Sequence, residues 1–266
     1  MPIFSLDRHV PLRVAVVVLF AGGGFAAYHF LPIFQGRNAL WTIAHNKCVP
    51  NQEANRNPAP CVRVDLTHGV ARGYVILKDI RGATQFLLIP TQRISGIESL
   101  ALLAPDAPNY WAAAWQNRRF VSARAGRDLA WNMIGLAINS SAARSQDQLH
   151  IHIDCVRPDV RSLLAQHSAE IGTAWKKLPF ALAGRHYIAR RLAAADLETQ
   201  DPFELLARSL APGQTMAQET LAVVGTSFAS GQNDFVLLAG PVDAAKNHHA
   251  HSEDLLDHRC AVAAMK

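Results

Sequence analysis

His150 and His152 stand two residues apart in QDQLHIHIDC, Gln146 to Cys155, a run that alternates polar with apolar residues. In a strand, that alternation puts Gln148, His150, His152 and Asp154 on one face and Leu149, Ile151, Ile153 and Cys155 on the other. An imidazole on such a strand can serve as a nucleophile, or the pair can hold a metal. A solvated surface strand would carry the same pattern, so the surroundings must decide. The preceding stretch INSSAARSQDQ starts at Asn139 and is polar and rich in small residues. Such a loop can fold closely around phosphate and present backbone N–H donors. Arg144 and Arg157 bracket the strand, and Arg93 and Lys78 lie on other elements that can converge with it. Guanidinium groups match phosphate oxygens bidentately.

The elements that must position these groups are legible in outline. GYVILKDI and TQFLLIP read as two strands joined at Arg81-Gly82, a hairpin. Trp131 to Asn139 reads as a buried strand leading toward the histidines. Asn109 to Ala125 has helical spacing, with Trp111, Trp115 and Phe120 on one stripe and Gly126 at its end. The tryptophans are expected in the core. A helix is expected over Asp159–Ile171, entered through Pro158, and another at DPFELLARSL, where Asp201 and Pro202 make a cap-and-proline start. HYIARRLA, TLAVVGTSF and DFVLLAG read as further strands. The last two form a hairpin that loosely echoes GYVILKDIRGATQFLLIP; an internal duplication is one reading, and mere likeness of apolar hairpins is the plainer one.

The 266 residues are 50% hydrophobic and 18% charged, which excludes a disordered chain. The formal charge of +5 favours an anionic partner, yet no basic run interleaved with aromatics points to nucleic acid. From Val14 to Phe34 the chain contains no Asp, Glu, Lys or Arg. At about 1.5 Å per residue it is long enough for a hydrocarbon core of about 30 Å. Arg8 and Arg13 precede it, so residues 1–35 read as a cytoplasmic leader and signal anchor, with 36–266 as one domain beyond the membrane. A cleaved signal peptide is the competing reading, but no convincing A-x-A site closes the segment. Four cysteines, Cys48, Cys61, Cys155 and Cys260, follow the anchor. A Cys48–Cys61 bridge would staple the Pro/Asn-rich segment between them, leaving Cys155 for Cys260, although three pairings are open in principle. ALWTIAHNKC, before that segment, reads as a membrane-proximal helix. No C-x-x-C spacing suggests zinc.

CVPNQ…NPAPC, GYVILKD, QFLLIPTQRISGIES, LAINS, HIHIDCVRPDV and HYIARRL, in this order, resemble the bacterial CDP-diacylglycerol pyrophosphatase family of the histidine-triad (HIT) superfamily. The resemblance spans nearly everything after the anchor. It implies an α+β fold, a HIT-like antiparallel sheet with packed helices, behind an N-terminal transmembrane anchor. It implies hydrolysis of CDP-diacylglycerol to CMP and phosphatidate at the bacterial inner membrane, with a periplasmic catalytic domain and no metal or cofactor. The middle triad position falls on His150, the family's nucleophile, and the third on His152, a phosphate contact. The first position holds Gln148, which can exchange hydrogen bonds but cannot carry a proton charge. Asn139 matches a supporting asparagine. Substrate contacts are expected from Gln148, Asn139, Arg144, Arg157, Arg93 and Lys78. Two other readings compete: metal-assisted hydrolysis, with Asp154 beside the histidines, and a membrane-tethered nucleotide- or phospholipid-binding module. NHHAHSED, with His248, His249 and His251, is a second metal candidate, better read as a solvated loop.

Overall fold

The computed structural model describes residues 36–241 and 251–265. The apolar segment, His248 and His249 lie outside the described residues. Nine strands form one sheet: β1 (Arg63–Asp65), β2 (Tyr74–Lys78), β3 (Phe86–Pro90), β4 (Ile134–Ile138), β5 (Ile151–Cys155), β6 (Lys176–Lys177), β7 (Ile188–Leu192), β8 (Glu219–Ser227) and β9 (Asn233–Pro241). Their order is β1-β2-β3-β5-β4-β8-β9-β7-β6, and every neighbouring pair is antiparallel. This is the α+β architecture expected. Every expected strand is present, while the short edge strands β1 and β6 were not anticipated because two or three residues carry no periodicity.

The histidine strand is central. On one face, Ile151, Ile153 and Cys155 join Phe86, Leu88, Leu136 and Val223 in a continuous apolar layer. Helices α3 (Tyr110–Gln116), with Trp111 and Trp115, and α4 (Arg119–Ala125), with Val121, cover it. The expected single helix over Asn109–Ala125 is thus two short ones, broken at Asn117 and Arg118. Asn109 caps the first by accepting from the Ala112 N–H at 3.0 Å, and Gly126 ends the second at φ +71°.

The opposite face is covered in two patches. At the β1–β3 end lie α1 (Ala39–Ile43), a π-helical turn (Ala44–Cys48) and α2 (Val49–Asn55), held over Val75, Leu77, Leu87 and Ile89. The helix therefore runs on past Cys48, and half of the segment expected as a stapled loop is helical. At the other end, α5 (Pro158–Gln166) and the C-terminal segment cover Ala137, Ala222 and Leu238. The histidines face the gap between the patches. A further helix, α6 (Pro202–Ala207), is capped as expected, with Asp201 accepting from the Phe203 N–H at 2.7 Å.

Both expected disulfides are present, Cys48–Cys61 across the α2 segment and Cys155–Cys260 between β5 and the C-terminal segment. The two similar hairpins, β2–β3 and β8–β9, flank the central β5–β4 pair but in opposite chain sense. The inner strand is the second in one and the first in the other, so repeating one hairpin unit does not generate this sheet. Among the described residues no helix is long and apolar enough to cross a membrane.

Candidate active site

Strand alternation and antiparallel register build the site. Leu87 of β3 and Ala137 of β4 both lie opposite His152, so these three side chains share the partly covered face. His150 enters just ahead of β5 on the same face. Far from being a solvated row, His150, His152 and Asp154 are all buried. The two imidazole centroids are 5.0 Å apart and both rings line a cavity of 1040 Å³.

The hydrogen bonds of each ring settle its tautomer. His150 Nδ1 lies 2.7 Å from the Gln148 carbonyl oxygen. A carbonyl only accepts, so Nδ1 carries the proton and Nε2 keeps its lone pair. His152 Nδ1 lies 2.9 Å from Gln85 Nε2. That Gln85 atom also contacts Asp79 Oδ2 at 2.5 Å and Glu253 Oε1 at 3.5 Å, so it must be the donating NH₂ rather than the oxygen. His152 Nδ1 therefore accepts and its proton sits on Nε2, a buried atom without a hydrogen-bond partner among the described residues. One ring offers a lone pair and its neighbour a proton. Burial pushes the pKa of both histidines down, His150 to about 4, with His152 adding to the effect on His150. Both are neutral near pH 7.

Behind His152 stands a charged set that sequence reasoning missed. His258 donates from Nδ1 to Asp154 Oδ2 at 2.9 Å, and its Nε2 lies 3.3 Å from Glu253 Oε1. Those carboxylates push the His258 pKa up to about 10, so it is an imidazolium. Burial raises the Glu253 carboxyl, but the bond from the His258 imidazolium and the 3.1 Å bond from Asn139 Nδ2 outweigh it, holding the group well below the ordinary range. Asp154 also accepts from Thr84 Oγ1 at 2.6 Å. The C-terminal segment is pinned by the Cys155–Cys260 disulfide and by the Asp257 N–H donating to the Cys155 carbonyl at 2.8 Å. Gly82 makes room for it: at φ +66°, a Cβ there would stand 2.6 Å from that of His258.

Of the residues expected at the site, Asn139, Lys78 and Arg157 line the cavity with the two histidines, whereas Gln148, Arg144 and Arg93 do not. The Gln148 amide is used by main chain: Nε2 donates to the Pro90 and Gln92 carbonyls at 3.1 and 2.9 Å, and Oε1 accepts from the Ile94 N–H at 3.4 Å. Arg144 pairs with Glu98 at 2.7 Å and Asp147 at 3.3 Å. Arg93 stacks on Trp41, 5.2 Å from the ring centroid, and bonds Asn38. Lys78 Nζ donates to the carbonyls of Asp79 and Gly82 at 2.6 and 3.0 Å, and Arg157 pairs with Asp159 at 2.8 Å. In the small-residue loop, the N–H groups of Ser141, Ala143 and Arg144 are bonded to protein carbonyls, so these three are not free donors for phosphate. Its side chains Ser145 and Gln146 do reach the cavity.

The stretch NHHAHSED is corrected on one point. Its described end is no solvated loop: Ser252 is buried, and His251 and Glu253 line the cavity. Among the described residues, no three His, Cys, Asp or Glu side chains group as metal ligands.

Two neutral imidazoles of opposite tautomer lining one large cavity make this the candidate active site. Residues 35–264 match the family model described as CDP-diacylglycerol pyrophosphatase. The chain is also 40% identical over 257 residues to the CDP-diacylglycerol pyrophosphatase of Yersinia pestis, covering 96% of this chain and 95% of that protein. The chain belongs to the CDP-diacylglycerol pyrophosphatase family, a group of hydrolases of phospholipid metabolism.

Proposed function

We propose that this protein hydrolyses CDP-diacylglycerol to CMP and phosphatidate at a membrane surface, through a covalent cytidylyl-histidine on His150. The observation that carries the mechanism is the bond from His150 Nδ1 to the Gln148 carbonyl, which leaves Nε2 unprotonated. Nε2 attacks the CMP-side phosphorus, and the bond from that phosphorus to the bridging oxygen breaks. Phosphatidate leaves with the electron pair. Water then attacks the same phosphorus, the N–P bond returns its pair to Nε2, and the water's proton is released to solvent with CMP. Two displacements replace one more difficult step. The His152 Nε2–H, buried and without a partner among the described residues, is suited to donate to a phosphoryl oxygen as negative charge gathers there. Asn139, fixed by Glu253, and the cations Lys78 and Arg157 at the cavity wall supply further polar contacts.

A HIT-like descent of the sheet is supported by the direct pairing of the FLLIP strand with the HIHIDC strand. The two disulfides fit an oxidising compartment. With the apolar segment at residues 14–34, they support an inner-membrane protein whose catalytic domain, residues 36–266, is periplasmic behind a single-pass anchor.

The test is CMP release from CDP-diacylglycerol by the wild-type protein and by His150→Ala, with and without EDTA. Chelator-insensitive turnover that is lost in the variant is the expected result. Turnover abolished by EDTA would move the reading to metal-assisted hydrolysis. Binding without turnover by a folded wild-type protein would leave a membrane-tethered binding module.

A further inference from the structure

Gln85 stands two residues before Leu87, the β3 residue opposite His152, and so on the same face of the sheet. It is fully buried and does not line the cavity. Its NH₂ has two hydrogens, and each has a close acceptor, Asp79 Oδ2 at 2.5 Å and His152 Nδ1 at 2.9 Å. Its Oε1 is buried and has no hydrogen-bond partner among the described residues. A buried carbonyl without a donor is destabilising, so a stronger interaction must hold the amide this way round. The Asp79 carboxylate is that interaction, because turning the amide over would set oxygen against oxygen. Asp79 is fixed in its turn. Its Oδ1 accepts from the Arg81 N–H at 3.0 Å, and its own N–H donates to the Gln85 carbonyl at 3.1 Å.

The amide also acts against a competing pull. Glu253 Oε1 lies 3.5 Å from His152 Nδ1, and a carboxylate there favours a proton on that nitrogen. We infer that Gln85, oriented by Asp79, is a positioning residue: its NH₂ keeps His152 Nδ1 unprotonated and so holds the ring proton on Nε2. The inference rests on the proposed reaction and deepens it, since the Nε2–H is the group that meets the phosphoryl oxygen there. With the proton on Nδ1, the Nε2 lone pair would face that oxygen and repel it. The two imidazoles thus differ in what fixes them. His150 is held by a main-chain carbonyl, which cannot turn, whereas His152 depends on a side-chain relay of two residues.

Two variants of the full-length protein test this, read by nitrogen NMR of the histidine rings near neutral pH. In the wild type, His152 should be protonated on Nε2 and not on Nδ1. In Asp79→Asn the Arg81 N–H keeps the new amide oxygen in the Oδ1 position, so the new NH₂ faces Gln85. The Gln85 amide must then turn, present its oxygen to His152 and draw the proton to Nδ1. Asp79 lines the cavity, so this variant is read by its tautomer alone. Gln85→Met removes the amide and leaves Glu253 to draw the same proton. Its kcat for CMP release from CDP-diacylglycerol in mixed micelles should fall about a hundredfold with KM little changed, as expected when one preorganised donor is lost. A wild-type ring protonated on Nδ1, an unprotonated Nδ1 in either folded variant, or wild-type kcat in folded Gln85→Met overturns the inference. The expected tautomers in a wild type that releases no CMP would instead overturn the proposed function and leave the relay standing.

Discussion

His258 and Asp154 are 104 residues apart in the chain, yet His258 Nδ1 sits 2.9 Å from Asp154 Oδ2. The disulfide between their near neighbours Cys155 and Cys260 closes the contact. This pair holds the C-terminal segment, and with it Glu253, against the histidine strand.

Replacing His258 by Gln keeps a hydrogen-bond donor but removes the charge that balances buried Asp154. Stability should fall by about 1–3 kcal/mol, moderated by the solvent that reaches the ring. The effect has a pH signature. A group whose pKa is raised on folding, here from 6.5 to about 10, stabilises fully below its unfolded value and loses that contribution as pH rises through the folded one. Urea melts should therefore show the widest gap between wild type and His258→Gln below pH 6.5, closing toward pH 10. A gap that does not vary with pH would show that His258 is not an imidazolium here.

Opening the Cys155–Cys260 bond frees the segment that carries Glu253 and His258. In the chain-entropy picture, a bridge across about 100 residues contributes about 4–5 kcal/mol, less any native-state strain. The Cys155→Ala/Cys260→Ala protein should lose much of that in denaturant titration. It should also lose turnover at temperatures where it is still folded. Full activity in the folded double variant would show that the segment positions nothing of consequence.

The covalent site is expected on His150. Acid quenching during turnover should trap a cytidylyl adduct, and fragmentation of the HIHIDC peptide should place it on the first histidine. His150→Ala should reduce kcat by at least about 10³-fold, in keeping with losses seen when a nucleophile is removed. An adduct on the second histidine would reverse the tautomer assignment, since His152 Nε2 would then need the lone pair.

The pH profile of kcat/KM follows from burial. The reactive form of His150 is unprotonated, and its pKa is lowered to about 4. Activity should therefore persist as pH falls past the ordinary histidine value of 6.5 and decline only near pH 4, provided the fold survives. Unfolding monitored by fluorescence over the same range separates the two effects. An acid limb at pH 6–7 in a folded protein would mean that solvent reaches the ring freely.

Gln148 occupies the first triad position but is bonded to three main-chain groups. Gln148→Leu should cost about 2–3 kcal/mol of stability, because buried carbonyls and an N–H lose their partners. KM should change little below the melting transition. A KM effect at full stability would place the amide in substrate binding after all.

The alternation of QDQLHIHIDC determined which residues share a face, and the order of hydrophobic runs determined the hairpins and the main helices. These are local properties, since period two or 3.6 is set by backbone geometry. The anchoring expectation rests likewise on a contiguous apolar run. What sequence could not supply was which polar groups meet. Gln85 reaches His152 through the β3–β5 register, and Glu253 and His258 arrive from a segment about a hundred residues further along the chain. Likewise, Arg144 and Arg93 are near the histidines in sequence or motif, yet both are taken up by ion pairing, stacking and hydrogen bonding outside the cavity. Contacts between distant residues depend on strand order and on competition among all available partners. Tertiary packing alone decides that competition, because a buried charge must find a counter-charge wherever the folded chain provides one.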